Sequence, residues 1–321
     1  MNNSEDKVDS VLLVGGTHGN ELTGINLVRH WQSQNVENQF NSFQLSYLIA
    51  NPKAVEVNTR YLDYDLNRCF KLSELEDNSL TGFEQRLAKK INSKIGPKGK
   101  AAVDFIIDLH TSTANMQTNI VLTRIDAFHL KLAAYLKKKL PDVVVTSEIE
   151  IMDDHHFLES IADKGVLLEV GPIPQASIEY DCFDMTQKAV RACLDFVELY
   201  NQQLCSEQKP CSDEQPCREN SPLIDLPDEI EIMTYFSKVY FPTDENGEIS
   251  ASVHPNLIGL AYPKLHKGDP IFKSFAGEDI LYQGESTYLA FINEAAYYDQ
   301  KIAMSLCLPR KYSLQTCREV E

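Results

Sequence analysis

His18 and Glu21, in Gly15-Gly16-Thr17-His18-Gly19-Asn20-Glu21, are the first residues of the chain whose types and spacing suggest chemistry. An imidazole and a carboxylate three residues apart point the same way if the turn between them is helical. Converging, they begin a zinc site, which needs a third protein ligand and an open position for water. His110, at the end of the apolar run 103–110, is the candidate third ligand. A lone His-x-x-Glu pair is common by chance, and each of these residues alone reads as a structural residue near a turn. Two histidines and a carboxylate, each at or just after the end of an apolar run, make a rarer coincidence. Glu169, in Leu168-Glu169-Val170-Gly171-Pro172, also ends such a run. A carboxylate among apolar neighbours needs a partner or a raised pKa. Beside an acidified water it can act as general base; otherwise it is a salt-bridged glutamate at a strand end. In the polar stretch 59–68, Arg60 and Arg68 are candidates for contacts to a carboxylate or a developing oxyanion. The alternative is that they pair with Asp63 and Asp65. His30, His129, His155, His156, His254 and His266 have no ligand-like context.

The elements that must position these residues are legible as alternating patterns. Val11-Leu12-Leu13-Val14, the stretch 44–50, the run to His110, 119–123, 143–146 and 166–172 read as strands. Helices are expected over 22–31, 82–95, 126–140 and 178–200, with 52–70 as a long loop opened by Asn51-Pro52. The alternation predicts an α/β layered fold, with the candidate residues at the carboxyl ends of strands, where open sheets place their sites. Residues 205–226 turn polar and read as a linker or insertion. Cys205, Cys211 and Cys217 are evenly spaced in this stretch, but no Cys-x-x-Cys pair or nearby histidine makes it a metal site. Beyond it, short strands with turn signals predict a β-rich second domain. The expected division is 1–204, 205–226 and 227–321. The last residues, from about Pro309, are expected to be loosely ordered.

Composition narrows the function. The chain has 321 residues, 43% hydrophobic and 24% charged, enough to bury a large core. Its formal net charge of -17 opposes broad contact with a phosphate backbone, which excludes nucleic acid as the main partner. No apolar run is long enough to span a bilayer, so no membrane partner is expected. The polar, acidic first residues do not read as a signal peptide. Eight cysteines are then expected as free thiols, and the protein as cytoplasmic.

Together these segments resemble the aspartoacylase family, N-acyl-amino-acid amidohydrolases within the zinc carboxypeptidase-like superfamily. The resemblance covers nearly the whole chain. Its markers are the motif 15–21, Arg60-Tyr61, Asp65-Leu66-Asn67-Arg68, Asp108-Leu109-His110, Glu169-Val170-Gly171-Pro172 and Asn293-Glu294-Ala295-Ala296-Tyr297-Tyr298. It implies a mixed sheet flanked by helices, plus a smaller β-rich C-terminal domain shaping the substrate entrance. It also implies one zinc ion per subunit, held by His18, Glu21 and His110, with Glu169 as general base. Arg60 would polarise the amide carbonyl and stabilise the oxyanion. Asn67 and Arg68 would bind the α-carboxylate, and Tyr288 would reach in from the C-terminal domain. The partner would be a small N-acyl amino acid, with N-acetyl-L-aspartate as the first expectation, and the protein a homo-oligomer.

Two departures bear on substrate. Aspartoacylases proper carry an arginine upstream of the general base, for the substrate's second carboxylate. Ten residues before Glu169 this chain has Glu159, with His155 where a tyrosine is expected. A glutamate there would repel a carboxylate. The aminoacylase-3 branch has a glutamate in that place and takes N-acetylated aromatic amino acids and mercapturates, which is the alternative. Thr111-Ser112-Thr113 also replaces the usual asparagine-threonine-threonine. A carboxypeptidase, a succinyl-amino-acid hydrolase and a non-catalytic zinc-binding module are the remaining readings.

Overall fold

The computed structural model describes residues 6–148, 154–207 and 225–320. Its strands are β1 (Ser10–Gly15), β2 (Gln44–Ile49), β3 (Phe105–Thr111), β4 (Gln117–Leu122), β5 (Val143–Ser147), β6 (Lys164–Gly171), β7 (Glu229–Tyr240), β8 (Ala251–Val253), β9 (Lys264–Leu265), β10 (Pro270–Ser274), β11 (Asp279–Leu281), β12 (Thr287–Ala290), β13 (Ile302–Ser313) and β14 (Glu319–Val320). Its α-helices are α1 (Leu22–Ser33), α2 (Pro52–Val57), α3 (Leu72–Glu76), α4 (Phe83–Ile95), α5 (Ala127–Lys139) and α6 (Tyr180–Glu207). One large mixed sheet runs in the order β2-β1-β3-β6-β4-β5-β7-β13-β12-β9, and β14 pairs with β13. A small sheet, β11-β10-β8, completes the β-rich C-terminal part.

Period-two alternation explains why both faces of the sheet are covered. Val11 and Leu13 of β1, with Phe105, Ile107 and Leu109 of β3, pack against Leu27 and Trp31 of α1, Phe128 of α5 and Phe196 of α6. Leu12, Val14 and Ile106 point the other way, onto Ala88, Ile91 and Ile95 of α4 and onto Leu158 and Ile161. Asp108 and His110 share the Ile106 face of β3, so the fold carries a polar pair along the side that α4 closes. β6 runs parallel to β3 with His110 opposite Glu169. Strand pairing therefore sets the metal-ligand candidate beside the base candidate before any side chain is considered.

The C-terminal half continues the sheet: Thr146 and Ser147 of β5 pair with Met233 and Thr234 of β7. Three sequence expectations are corrected here. Residues 52–70 are not one loop, because Asn51 caps α2 by accepting from Ala54 N at 3.3 Å and Pro52 sits in the first turn. A 3₁₀ turn follows at Leu66–Arg68. Helix α6 does not stop at residue 200 but reaches Glu207; residues 208–224, with Cys211 and Cys217, lie outside the described residues. The end of the chain is not loose: Pro309 lies opposite Met233 within β13, and Tyr312 and Leu314 are buried.

Helix α1 lies close to β3 because residue 24 is glycine. A Cβ there would stand 2.8 Å from Leu109 Cβ and 3.2 Å from the Leu109 carbonyl oxygen. Gly24→Ala is expected to lower stability by about 1–3 kcal/mol, despite alanine's better helix propensity. Denaturant unfolding measures this, and a stabilised variant would refute the tight approach.

Candidate metal centre and active site

The chain leaves β1 through Gly16, in the left-handed region at φ +70°. It turns tightly, with Glu21 N–H donating to the His18 carbonyl at 3.3 Å. Glu21 then occupies the position just before α1, with φ -94° and ψ 78°, and its side chain makes no helix cap. The carboxylate is turned instead toward the imidazoles. Glu21 Oε1 lies 2.7 Å from His18 Nδ1, and Oε2 lies 3.0 Å from His110 Nδ1. The two Nδ1 atoms are 3.1 Å apart. All three residues are buried, and their ligand atoms lie within 4.8 Å of one another. The expected trio thus converges, although through a turn rather than a helical step.

Both rings turn their other edge to a carboxylate. His18 Nε2 is 2.8 Å from Asp65 Oδ1, and His110 Nε2 is 3.0 Å from Asp108 Oδ2. With each Nε2 facing one of those carboxylates, both Nδ1 atoms are left on the Glu21 side. Three acceptors meeting in a buried spot are a donor set for a metal ion. The chemistry of the residues therefore fits a cation. Burial alone would raise the Glu21 carboxyl, but the two imidazoles outweigh it and hold the group well below its ordinary value. Burial likewise opposes a charge on His110, yet Asp108 and Glu21 raise its pKa well above the ordinary value. Asp65 is held low, against its burial, by His18 and Arg60. Asp108 Oδ1 also accepts from Thr17 Oγ1 at 2.8 Å, which ties the β1 turn to β3.

A cavity opens over these atoms, lined among others by Arg60, Arg68, Phe157, Glu169, Glu294 and Tyr297. Glu169 is half-buried; desolvation raises its carboxyl to about 8, with His110 opposing and Glu21 and Glu294 adding. Arg60 donates to Glu21 Oε1 at 3.0 Å and to Asp65 Oδ2 from two nitrogens, at 3.3 and 3.2 Å. Arg68 stacks 5.2 Å above the Phe157 ring and bonds the Asn67 carbonyl. Glu294 reaches from the C-terminal half to the loop after His110. Its Oε2 accepts from Ser112 Oγ, from Thr113 N at 2.8 Å and Thr113 Oγ1 at 3.0 Å, and from Ala114 N at 3.1 Å. Thr111 N donates to Glu21 Oε2 at 3.1 Å, so the unusual Thr111-Ser112-Thr113 segment is fully engaged.

Of the expected site residues, His18, Glu21, Arg60, Asn67, Arg68, His110 and Glu169 line the cavity. Tyr288 does not. It packs beside Met116, Tyr235 and Phe291, under the Lys264 ammonium at 5.8 Å. Tyr297 lines the cavity instead, because Phe291 and Asn293 take left-handed φ values of 50° and 60° and fold the following turn over the site. Asn67 has little left for a ligand: its oxygen accepts from Leu158 N at 2.9 Å and its nitrogen lies 3.4 Å from His110 Nε2. Glu159 does not contact a substrate space either. The 3₁₀ turn Leu158–Ile161 sends it into the protein, fully buried against Gly165, with neither oxygen hydrogen-bonded. Burial and the nearby Asp108 carboxylate raise its carboxyl to about 8. Among residues not singled out from sequence, Asp108 carried a readable signal, two positions before His110 on the same strand face; Phe157 and Glu148 carried none.

The catalytic-domain description "Succinylglutamate desuccinylase/Aspartoacylase" matches residues 7–197, and the AstE/AspA barrel-sandwich hybrid domain matches residues 228–308. A protein of Trichodesmium erythraeum named probable aspartoacylase is 39% identical over 310 residues, covering 96% of this chain and 99% of its own. An N-acyl-aromatic-L-amino acid amidohydrolase (carboxylate-forming) of Xenopus laevis is 39% identical over 303 residues, covering 92% and 93%. The crystal structure of murine aminoacylase 3 superposes with a TM-score of 0.86 at 34% identity, covering 97% of this chain and 98% of that one. With both halves matched, and with relatives of this identity along nearly its full length, the chain belongs to the succinylglutamate desuccinylase/aspartoacylase family and is an amidohydrolase of N-acyl amino acids.

Proposed function

We propose that this chain hydrolyses N-acyl-L-amino acids with one zinc ion per subunit, held by His18, Glu21 and His110, and that it favours uncharged aromatic or thioether side chains over aspartate. One observation carries the substrate reading. Among the described residues the cavity offers only two arginines, Arg60 and Arg68, and its remaining wall includes Val121, Phe157, Leu167, Phe291 and Tyr297 with the carboxylate of Glu148. Arg68 suffices for an α-carboxylate; a second carboxylate would meet apolar rings and a like charge. Residues 148–164 contain no arginine to change this. The competing substrate, N-acetyl-L-aspartate, has one specific support: Lys238 lies near Glu148 and Arg68.

Zinc in this position supplies Lewis acidity, which makes a water acidic near neutral pH and polarises a carbonyl. The chain's own residues do the rest. Glu169 takes the proton of the attacking water and delivers it to the amine as the C–N bond breaks. Arg60 has five N–H donors, three of them engaged with Glu21 and Asp65, and the others stabilise the oxyanion. Arg68, held flat on Phe157, orients the α-carboxylate. We assign catalysis to residues 1–204 and the shaping of the entrance to 227–321; the matches to 7–197 and 228–308 support that division.

Four outcomes are expected. On a panel of N-acetyl-tyrosine, an N-acetyl-S-aryl-cysteine, N-acetyl-aspartate and N-succinyl-glutamate, kcat/KM should be highest for the first two; preference for N-acetyl-aspartate would assign the second carboxylate to Lys238. Glu169→Gln should lose about 10²–10⁴ in kcat with metal retained. In the wild type, kcat/KM should rise with pH through a midpoint between 4.5 and about 8, since the raised carboxyl must first lose its proton; that limb should be missing in the variant. Metal affinity, measured against a competing chelator, should fall between pH 8 and pH 6, because zinc must displace the proton that Asp108 and Glu21 hold on His110. A flat response would mean that His110 is not a ligand.

A further inference from the structure

Glu84, in the first turn of α4, is wholly buried, and no ion pair reaches it among the described residues. Four donors surround it instead. Its Oε1 accepts the backbone N–H of Leu62 at 2.7 Å and Asn51 Nδ2 at 3.1 Å. Its Oε2 accepts the N–H groups of Asp63 at 3.0 Å and Tyr64 at 3.1 Å. Three consecutive backbone N–H groups converging on one anion form a nest, here filled by the protein's own carboxylate. The loop answers in kind: Asp63 Oδ2 accepts from Phe83 N at 2.8 Å. The Tyr64 ring packs so closely on Gly82 that a Cβ there would lie 2.5 Å from it.

That loop is the one that carries the arginines. It opens at Arg60 and closes at Asp65, whose Oδ1 caps the turn bearing Asn67 and Arg68 through Asn67 N at 2.9 Å. The Asn51 branch leads to the same place. Asn51 caps α2, the Ala54 carbonyl accepts from Thr59 N at 3.1 Å, and the Arg60 carbonyl accepts from Gly19 N at 3.1 Å. One buried anion therefore fixes the loop from its middle and, through α2, from its start.

We propose that Glu84 is a positioning residue for Arg60 and Arg68, setting the shape of residues 60–68 without touching substrate. The kinetic part of this inference rests on the amidohydrolase reading. The chemistry requires a carboxylate: an amide of the same size has a single acceptor oxygen, and its NH₂ would face backbone N–H groups. Buried donors left without an acceptor are costly, so the loop would relax toward water and carry the guanidinium groups with it.

Glu84→Gln is compared with wild type by three measurements: zinc content, backbone hydrogen exchange, and KM and kcat on N-acetyl-tyrosine. Zinc content should stay at one per chain. Exchange at Leu62, Asp63 and Tyr64 should quicken at least tenfold. KM should rise at least tenfold as Arg68 loses its place, and kcat should fall as Arg60 loses its own. In combination with Arg68→Ala, the variant should add less than its own factor in KM. Unchanged exchange and unchanged KM would overturn the proposal, as would zinc loss in parallel with activity. Should Glu84→Gln not fold, Asp63→Ala removes the reciprocal tie from an exposed residue; faster exchange at Leu62–Tyr64 and a smaller rise in KM would support the proposal, and no change in either would refute it. If wild type hydrolyses no N-acyl amino acid, the amidohydrolase reading fails, and hydrogen exchange alone decides the role of Glu84.

Discussion

Two imidazole nitrogens and a carboxylate held within about the width of one atom form the constraint that the rest of this structure serves. His18 Nδ1, His110 Nδ1 and Glu21 are all electron-rich, and burial takes away the water that would otherwise separate them. Such a cluster holds only if its geometry is imposed from outside. The strand order imposes part of it, by bringing the end of β1 next to β3 and β3 next to β6. Asp65 and Asp108 impose more, by fixing which edge of each ring faces inward. The whole arrangement becomes favourable once positive charge is supplied, whether by protons or by a metal.

Charge balance in the surroundings follows the same logic. Six carboxylates, from Glu21, Asp65, Asp108, Glu148, Glu169 and Glu294, lie around or just behind the cavity, against two arginines. Three of them are tied down: Asp65 by His18 and Arg60, Asp108 by Thr17 and His110, and Glu294 by the donors of residues 112–114. Glu169 makes no comparable set of bonds among the described residues, and desolvation raises its carboxyl. One fold thus holds the Asp65 carboxyl low through His18 and Arg60 while desolvation raises that of Glu169.

The sheet and the convergence of His18, Glu21 and His110 were legible because both rest on short-range signals. Val11–Val14 and 103–110 are apolar runs that end in polar residues, and strand ends are where α/β sheets build sites. Asp108 was not singled out, although its two-residue spacing from His110 on one strand face carried the signal. What escaped depended on the direction of turns. Tyr288 is a half-buried strand residue packed on the cluster of Met116, Tyr235 and Phe291 that joins the two halves, whereas Tyr297 reaches the cavity beyond the left-handed residues Phe291 and Asn293. Glu159 stands at the right distance along the chain from Glu169, but a 3₁₀ turn rotates it away from the cavity. Asn51-Pro52 was read as a break when it is a helix start, since the same pair serves both purposes.

The pairing of β5 with β7 has a consequence for synthesis. As the chain leaves the ribosome, the first half emerges with the end of β5 as a bare edge, Thr146 and Ser147 lacking their strand partners until β7 arrives more than eighty residues later. The donors of residues 112–114 wait longer still, for Glu294. The nascent protein therefore passes through a stage that already has His18, Glu21 and His110 but has an open strand end and an unroofed cavity.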